Sequence, residues 1–129
     1  SVIDYALAKR AVLADLFGGR VSSLDVCDAH PYLLRAAKYH GEATSTPCPV
    51  CKREPLTHVT YAYGDELKEA SGQVRATVEL AALERAHGEV SIYVVEVCRT
   101  CGWNHLTTSF VIGAAGLRTR RPRRQSAQK

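Results

Sequence analysis

The stretches Cys48-Pro49-Val50-Cys51 and Cys98-Arg99-Thr100-Cys101 decide the fold of this chain. Each Cys-x-x-Cys pair places two sulfur atoms on one tight turn, and two such turns at the ends of neighbouring strands complete a four-sulfur shell with no open coordination position. The spacing therefore predicts a zinc ribbon, whose metal ligands are Cys48, Cys51, Cys98 and Cys101. A closed cage of this kind holds structure and performs no hydrolysis.

The same cysteines could form disulfides, and the rest of the sequence argues against that alternative. We find no charged-then-apolar leader, no run of about 18 apolar residues and no lipidation motif, which predicts a cytoplasmic protein with no membrane partner. In a reducing cytosol, paired Cys-x-x-Cys turns bind metal more often than they form disulfides. Zn²⁺ is the expected ion, and a single iron, as in rubredoxin-like electron carriers, stays open as an alternative because four thiolates suit it too.

Length and pattern predict one α+β domain with three segments. The 129 residues, 46% of them hydrophobic, suit a modest core that a structural metal reinforces. We expect a layer of short helices over residues 1–46 and a three-stranded antiparallel zinc ribbon over residues 47–113. A helical insertion interrupts the ribbon at residues 64–88, and a basic tail follows at residues 114–129.

Three short helices are predicted before the ribbon. The first covers residues 1–19, with Ser1 and Asp4 at its start and Gly18-Gly19 at its end. The second begins at Ser22, spaced from Asp25 as a capping box, and the third runs from Pro31 to just before Gly41. They resemble a helix-turn-helix, which would place Arg35 and Lys38 of the third helix in a DNA groove. The favoured interpretation is that the helices pack on the ribbon.

The ribbon strands are predicted at residues 56–63, 90–97 and 106–112, from alternating or β-branched residues. Within the insertion, residues 77–87 read as a helix that Gly88 ends. The insertion either covers the sheet or forms a binding surface, and spacing does not choose between these. Gly102 suits the turn after the second cysteine pair, whereas Lys52 makes the first turn atypical.

Positive charge is concentrated in the tail. Residues 1–116 hold 11 Lys/Arg and 13 Asp/Glu, a net charge of −2, whereas residues 117–129 hold six basic residues and no acid. The proline and charge density of this tail predict a disordered arm that binds a polyanion, and arginine suits phosphate through its planar fork. A solubilising tail is the alternative. The predicted nucleic-acid-binding residues are Arg118, Arg120, Arg121, Arg123, Arg124 and Lys129.

Further side chains are candidates for contact or chemistry. Trp103, Asn104 and His105 follow the second cysteine turn, where an aromatic ring can stack on a base; Trp103 could equally fold back over the metal site. Arg35 and Lys38 are the other predicted partner contacts. Cys27 and His30 could form a second site or a nucleophile pair, but the favoured interpretation is a buried cysteine and a helix-capping histidine.

A zinc-deaminase interpretation fails on spacing. His40-Gly41-Glu42 and Pro47-Cys48-Pro49-Val50-Cys51 match the letters of that signature. Four intervening residues cannot form the crossover that separates the two motifs in a deaminase fold, and the second cysteine pair would have no role. No catalytic residue and no small-molecule substrate are predicted.

Three stretches together resemble a family of short zinc-ribbon-like proteins from high-GC Gram-positive bacteria, filed as a domain of unknown function. The resemblance is carried by residues 27–35 (CDAHPYLLR), 47–51 (PCPVC) and 93–105 (YVVEVCRTCGWNH), and it covers nearly the whole chain except the tail. It implies a bacterial cytosolic protein and no established activity.

The sequence as a whole therefore predicts a non-enzymatic zinc-binding accessory factor of a nucleic-acid machine. The ribosome, with rRNA and its protein subunits as partners, is favoured because small zinc ribbons with Arg-rich extensions resemble ribosomal proteins. An RNA-polymerase-associated or DNA-binding transcription factor is the alternative, and an electron-carrying iron ribbon or an enzyme using Cys27 and His30 are further ones.

Overall fold

The computed structural model describes residues 2–65, 67, 71–86 and 88–113. The strands, in chain order, are β1 (Val2–Asp4), β2 (Glu42–Pro47), β3 (Pro55–Tyr63), β4 (Gln73–Val74), β5 (Val90–Val97) and β6 (Asn104–Ile112). The helices are α1 (Ala6–Phe17), α2 (Ser23–Val26), α3 (Pro31–His40) and α4 (Leu80–Ala86), with a 3-10 turn at Thr77–Glu79 leading into α4. Among these helices, none has the length and apolar character needed to cross a membrane.

One antiparallel sheet organises the described residues. Its strand order is β1-β6-β5-β3-β2, and β4 pairs with the far end of β3. The long strands β3, β5 and β6 are the three that the sequence predicts, because alternating and β-branched side chains suit a half-buried pleated surface. Helices packed with an antiparallel sheet confirm the predicted α+β class.

The described residues form six strands, so the sheet extends beyond the three-stranded ribbon that the sequence predicts. β2 escaped prediction because it is polar and largely exposed, with no apolar alternation. It forms because the edge of β3 offers backbone partners: Glu42 lies opposite His58, and the Thr44 hydroxyl donates to the Leu56 carbonyl at 2.8 Å. β4 has only two residues, and it lies opposite Tyr61 and Ala62.

The first predicted helix begins later than expected. Residues 2–4 form the edge strand β1 on β6, with Ile3 opposite Ser109, because the open edge of β6 has backbone groups that a short extended segment satisfies. α1 then starts at Ala6, whose N–H donates to the Asp4 carboxylate at 2.8 Å. It ends at Phe17, before the predicted Gly18-Gly19, and Gly19 adopts φ +80°. Ser1, the predicted cap, lies outside the described residues.

The second and third helices agree with the prediction. At α2, the Ser22 N–H donates to the Asp25 carboxylate at 2.9 Å, which completes the capping box. α3 spans Pro31–His40 and packs on the sheet, with Ala37 buried against Val59 and Val97. Burial of this apolar stripe, rather than intrinsic helix propensity, holds α3 in place.

The described part of the insertion between β3 and β5 covers the opposite face of the sheet. Leu67 and Leu83 are buried against Ala62, Val90 and Ile92, in a cluster at the end of the sheet far from the cysteines. The helical part agrees with the predicted helix at residues 77–87, except that its first turn is 3-10 and that His87 lies outside the described residues. A covering role for the insertion therefore explains its buried leucines.

Candidate metal centre

Two turns bring the four predicted cysteine ligands to one end of the sheet. The first knuckle, residues 48–52, joins β2 to β3, and the second knuckle, residues 98–102, joins β5 to β6. β3 and β5 are antiparallel neighbours, with Thr57 opposite Val97. The turn before β3 and the turn after β5 therefore meet at the same end of the sheet. Strand pairing thus places side chains that are about 50 residues apart in sequence in contact.

The four sulfur atoms have the geometry of a metal cage. All four lie within 4.8 Å of one another. Cys48 Sγ is 3.7 Å from Cys101 Sγ, and Cys51 Sγ is 3.6 Å from Cys98 Sγ. A tetrahedral ion with metal–sulfur bonds of ~2.3 Å requires sulfur–sulfur distances of about 3.8 Å. The cluster therefore fits a single tetrahedral ion, with one cysteine pair supplied by each knuckle.

Backbone hydrogen bonds shape both knuckles in the same way. The N–H of Lys52 donates to the Cys48 carbonyl at 3.1 Å, and the N–H of Gly102 donates to the Cys98 carbonyl at 2.9 Å. Both of the residues that close these turns have left-handed backbones, with φ 61° at Lys52 and φ 91° at Gly102. The first turn is atypical, as the sequence predicts, because Lys52 adopts a backbone conformation that favours glycine.

Backbone N–H groups also point at the sulfur atoms. Val50 N donates to Cys48 Sγ, Cys101 N to Cys98 Sγ and Trp103 N to Cys101 Sγ, each at 3.4 Å. Hydrogen bonds to a thiolate stabilise its charge, so these donors suit sulfur that is deprotonated and metal-bound.

The thiols are not equivalent electrostatically. Burial raises the pKa of Cys48 and of Cys98, and it raises the pKa of Cys101 to about 12. The backbone N–H of Arg53 is the main influence that lowers the pKa of Cys51 to about 7. Buried neutral thiols at such close range are costly to ionise without a cation, so a metal that replaces their protons relieves this penalty.

A fifth cysteine lies beside the cage. Cys27 Sγ donates to Cys101 Sγ at 3.5 Å, and burial raises the pKa of the Cys27 thiol. The backbone follows the second knuckle here, since Ala29 N donates to the Gly102 carbonyl at 3.0 Å. His30 accepts a hydrogen bond from Tyr32 N at 3.1 Å and caps α3, as predicted. Cys27 therefore contacts a ligand of the cage, while His30 serves α3.

A buried carboxylate supports the second knuckle, and sequence reasoning missed it. Glu96 is 4% exposed; its carboxylate accepts from the Trp103 indole N–H at 2.8 Å and lies 2.7 Å from the Lys9 ammonium. The Lys9 ammonium and the neutral indole N–H together offset the cost of burying the carboxylate. The signal was available, because Glu96 interrupts the apolar strand β5 at a position facing the core.

The predicted partner contacts that follow the second knuckle differ in their surroundings. Trp103 is 1% exposed and packs in the cluster of Cys48, Leu56 and Cys98, so it folds back over the cage and its ring is covered. Asn104 donates to the Asp28 carboxylate at 3.1 Å, and His105 stacks on Trp103 with ring centroids 5.9 Å apart.

The two basic residues predicted on α3 are at its surface. The guanidinium of Arg35 lies 5.8 Å from the Tyr32 ring centroid, and the ammonium of Lys38 lies 5.1 Å from that of Tyr39. The predicted nucleic-acid-binding residues are all in residues 114–129, outside the described part of the chain. These are Arg118, Arg120, Arg121, Arg123, Arg124 and Lys129.

Comparison with known proteins identifies relatives but no activity. A model of a family of unknown function (DUF5318) matches residues 1–126. The uncharacterized proteins Mb0050 of Mycobacterium bovis and Rv0049 of Mycobacterium tuberculosis are each 48% identical to this chain over 124 residues, which cover 96% of the chain and 89% of each relative. No solved structure matches it significantly. These matches confirm the resemblance to an uncharacterised family of high-GC Gram-positive bacteria. The chain belongs to the DUF5318 family, whose function is unknown.

Proposed function

We propose that this protein is a non-enzymatic, zinc-stabilised accessory factor that binds nucleic acid within a larger assembly, with rRNA on the ribosome as the favoured target. The observation that carries the proposal is the separation of charge along the chain. A body of net charge −2 over residues 1–116 is followed by six basic residues and no acid. Such a segregated arm is suited to phosphates, whereas the body is suited to holding and orienting it.

Zinc is the ion that we assign to the cage. Four thiolates form a soft donor set, and sulfur–sulfur distances of 3.6 and 3.7 Å suit the tetrahedral geometry that Zn²⁺ adopts in structural sites. Ferrous or ferric iron would fit the same sulfur atoms. Metal analysis together with visible absorbance separates them, because a zinc protein is colourless and an iron–thiolate protein is not.

The cage supports a structural role rather than a catalytic one. Four protein sulfurs fill the coordination sphere of a tetrahedral ion, which leaves no position for a water or substrate. The surroundings are also closed, since Cys48, Cys98 and Trp103 are each 0–1% exposed. In this proposal the metal fixes the shape of a binding module and takes no part in a reaction.

The arm supplies electrostatic attraction. Its five arginines can contact phosphates bidentately, and with Lys129 they give six positive groups. If all six met phosphates of a single strand, the logarithm of the association constant would fall with the logarithm of salt concentration at a slope of about −4. The ribosome is favoured over RNA polymerase by the analogy with small basic zinc-ribbon proteins.

Co-sedimentation tests the proposal. Tagged full-length protein is added to a mycobacterial lysate, which is separated on a sucrose gradient, and the fractions are analysed by mass spectrometry with and without nuclease. We expect the protein in the ribosomal fractions and its release by nuclease or high salt. A full-length variant with Arg118, Arg120, Arg121, Arg123 and Arg124 changed to Gln is the matched control, because it keeps the length and removes the charge.

The outcomes separate the candidates. Migration with RNA polymerase subunits would replace the ribosome with the transcription machinery. Protein that stays at the top of the gradient, with no nuclease-sensitive partner, would overturn the proposal. Equal co-sedimentation of the wild type and the Arg→Gln variant would remove the arm from the binding mechanism.

A further inference from the structure

Within the described residues, only part of the sheet face that carries α3 is covered. α3 lies over the end near the cysteines, where Ala37 packs on Val59 and Val97. Beyond it lies an open groove of about 710 Å³, lined by Tyr61, Tyr63, Tyr93, Val95, Asn104, Leu106 and Leu33. Among the described residues, no helix or strand covers this aromatic-lined groove, and exposed apolar surface of this kind is typical of a binding site.

The tyrosines of this groove are arranged in a regular pattern across two central strands. Tyr61 on β3 lies directly opposite Tyr93 on β5. Tyr61 and Tyr63 are two residues apart on one strand, so they share a face at a spacing of about 6.8 Å. That spacing is twice the ~3.4 Å between stacked nucleotides of a duplex strand, so an unstacked strand can reach both rings.

The rings are held in place before any ligand binds. Tyr63 and Tyr93 contact each other edge to face, with ring centroids 5.6 Å apart and planes at 81°. The backbone of Gly72 lies against one side of the Tyr63 ring, since a Cβ there would be 3.2 Å from the ring. Tyr63 is nevertheless 44% exposed. Preorganised aromatic surface of this kind lowers the entropic cost of binding.

The groove itself is lined by uncharged side chains, although the Asp28 carboxylate accepts from the lining residue Asn104 at 3.1 Å. A second groove of about 410 Å³ shares Tyr61 with the first and is lined by Tyr32 and His40 of α3. Arg35 lies beside the Tyr32 ring. Among the described residues that line the two grooves, none is acidic.

The basic tail follows the end of β6, which lies close to the tyrosines. Ser91 lies opposite Tyr63 on one side and opposite Val111 on the other, so these three residues form one row across β3, β5 and β6. Strands are ~4.8 Å apart, which puts the end of β6 about 10 Å from Tyr63. Arg118 is five residues beyond Gly113. An arm that starts there can reach the phosphates of a strand whose bases lie in the groove.

We propose that the groove of Tyr61, Tyr63 and Tyr93 is a stacking surface for the bases of single-stranded nucleic acid. Aromatic rings on adjacent strands of an open sheet face stack bases in this way and tolerate any base identity. The inference rests on the proposed function and deepens it. The rings contact bases, whereas the tail contacts phosphates, so the two contributions respond differently to salt.

Fluorescence anisotropy on the full-length, metal-loaded protein tests this assignment. The probes are a fluorescein-labelled oligouridylate, an oligothymidylate of the same length and a duplex. Tyr63→Leu and Tyr93→Leu keep apolar bulk but remove the ring, Tyr93→Phe keeps the ring, and Tyr39→Leu is the matched control on the exposed side of α3. Metal content and thermal unfolding establish that each variant folds.

We expect Tyr63→Leu and Tyr93→Leu each to weaken oligouridylate binding roughly tenfold at every salt concentration, with an unchanged salt slope. Tyr93→Phe and Tyr39→Leu should bind like the wild type, and the duplex should bind more weakly than either single strand. The tail variant with five Arg→Gln changes should instead lose about three to four units of salt slope and stay sensitive to Tyr93→Leu. A preference for oligouridylate over oligothymidylate would assign RNA, and equal affinities would assign both.

Two results would overturn the inference. If the wild type binds single strands in a tail-dependent way and the tyrosine variants bind equally well, the groove is not a nucleic-acid surface, while the proposed function stands. If the wild type binds no nucleic acid at all, the proposed function fails and the stacking surface fails with it.

Discussion

The two cysteine knuckles have the same backbone pattern but different surroundings. In both, the fifth residue of the turn donates to the carbonyl of the first cysteine and adopts a left-handed backbone. Only the second knuckle is enclosed: Gly102 lies against the Cys27 carbonyl and Trp103 is 1% exposed. At the matching places of the first knuckle, Lys52 and Arg53 are exposed. The same local motif is therefore packed into the core at the second knuckle and lies at the surface at the first knuckle.

This difference shows that the ligand set and the support of the ligand set are separate properties. A metal ion requires two sulfurs from each knuckle equally. Packing, by contrast, is concentrated at the second knuckle, where residues 27–30 and the Glu96–Lys9 pair surround it. Changes to ligands should thus cost the same at both knuckles, and changes to supporting residues should not.

The largest effect should follow from removing a ligand at either knuckle. We expect Cys51→Ser and Cys98→Ser each to abolish stoichiometric metal binding and cooperative thermal unfolding of this end of the sheet, because structural zinc contributes about 10–16 kcal/mol in small sites. Metal content after dialysis and melting followed by circular dichroism check this. Cys27→Ser is the control, and it should keep one ion. A Cys51→Ser protein that holds its metal fully would show that the cage does not need all four cysteines.

The next effect should distinguish the knuckles. Trp103→Ala should destabilise the protein by about 3–5 kcal/mol, because it leaves a cavity beside Leu56 and removes the donor to Glu96. Arg53→Ala, at the matching position of the first knuckle, should change the free energy of unfolding by no more than about 0.5 kcal/mol. Urea unfolding at constant zinc measures both. Equal losses would mean that the first knuckle is as well supported as the second.

A smaller contrast lies in the residues that close the turns. Gly102→Ala should cost about 1–3 kcal/mol, since φ 91° is unfavourable for alanine and the new Cβ would lie 3.0 Å from the Cys27 carbonyl oxygen. Lys52→Gly should be neutral or stabilise by up to about 1 kcal/mol, because glycine relieves the left-handed strain but adds freedom to the unfolded chain. Thermal melting of the two variants beside the wild type measures both changes in stability. A clear destabilisation by Lys52→Gly would argue against strain at Lys52.

The smallest signal should be electrostatic. In the metal-free protein at about pH 7.5, Cys101, with a pKa of about 12, and the raised Cys48 and Cys98 carry protons, whereas Cys51, with a pKa of about 7, is mostly ionised. Zinc binding should therefore release about three protons rather than four, and because protons compete with the ion, affinity should fall as pH falls. Calorimetry in buffers of different ionisation enthalpy counts the protons. Release of four would show that Cys51 is protonated before the metal binds.

Prediction from sequence succeeded where a local rule governs the structure. The clustering of the four cysteines followed from the spacing of two Cys-x-x-Cys pairs. The capping box at Ser22 and the proline at the start of a helix, Pro31, located α2 and α3. The strands β3, β5 and β6 followed from side-chain alternation. Each of these patterns is confined to a few neighbouring residues, so no partner elsewhere in the chain is needed to recognise it.

Prediction failed where contacts with residues distant in the sequence determine the local structure. Residues 2–4 continue a helical pattern, and they form a strand because the edge of β6 is open to them. β2 has no strand pattern and pairs with β3 for the same reason. The sequence left the orientation of Trp103 open, because its ring packs against Cys48 and Leu56, which are about 50 residues away, and its indole N–H donates to Glu96.

The sequence by itself determined which four cysteines form the cluster, the α+β class and the concentration of positive charge in the tail, since spacing, periodicity and composition are properties of the chain alone. Only the tertiary structure decided which knuckle is buried, where Cys27 lies and that Tyr93 joins Tyr61 and Tyr63 on one sheet face. Those outcomes depend on strand register and on which helix covers which part of the sheet. Contacts between distant residues set both, and no local pattern encodes them.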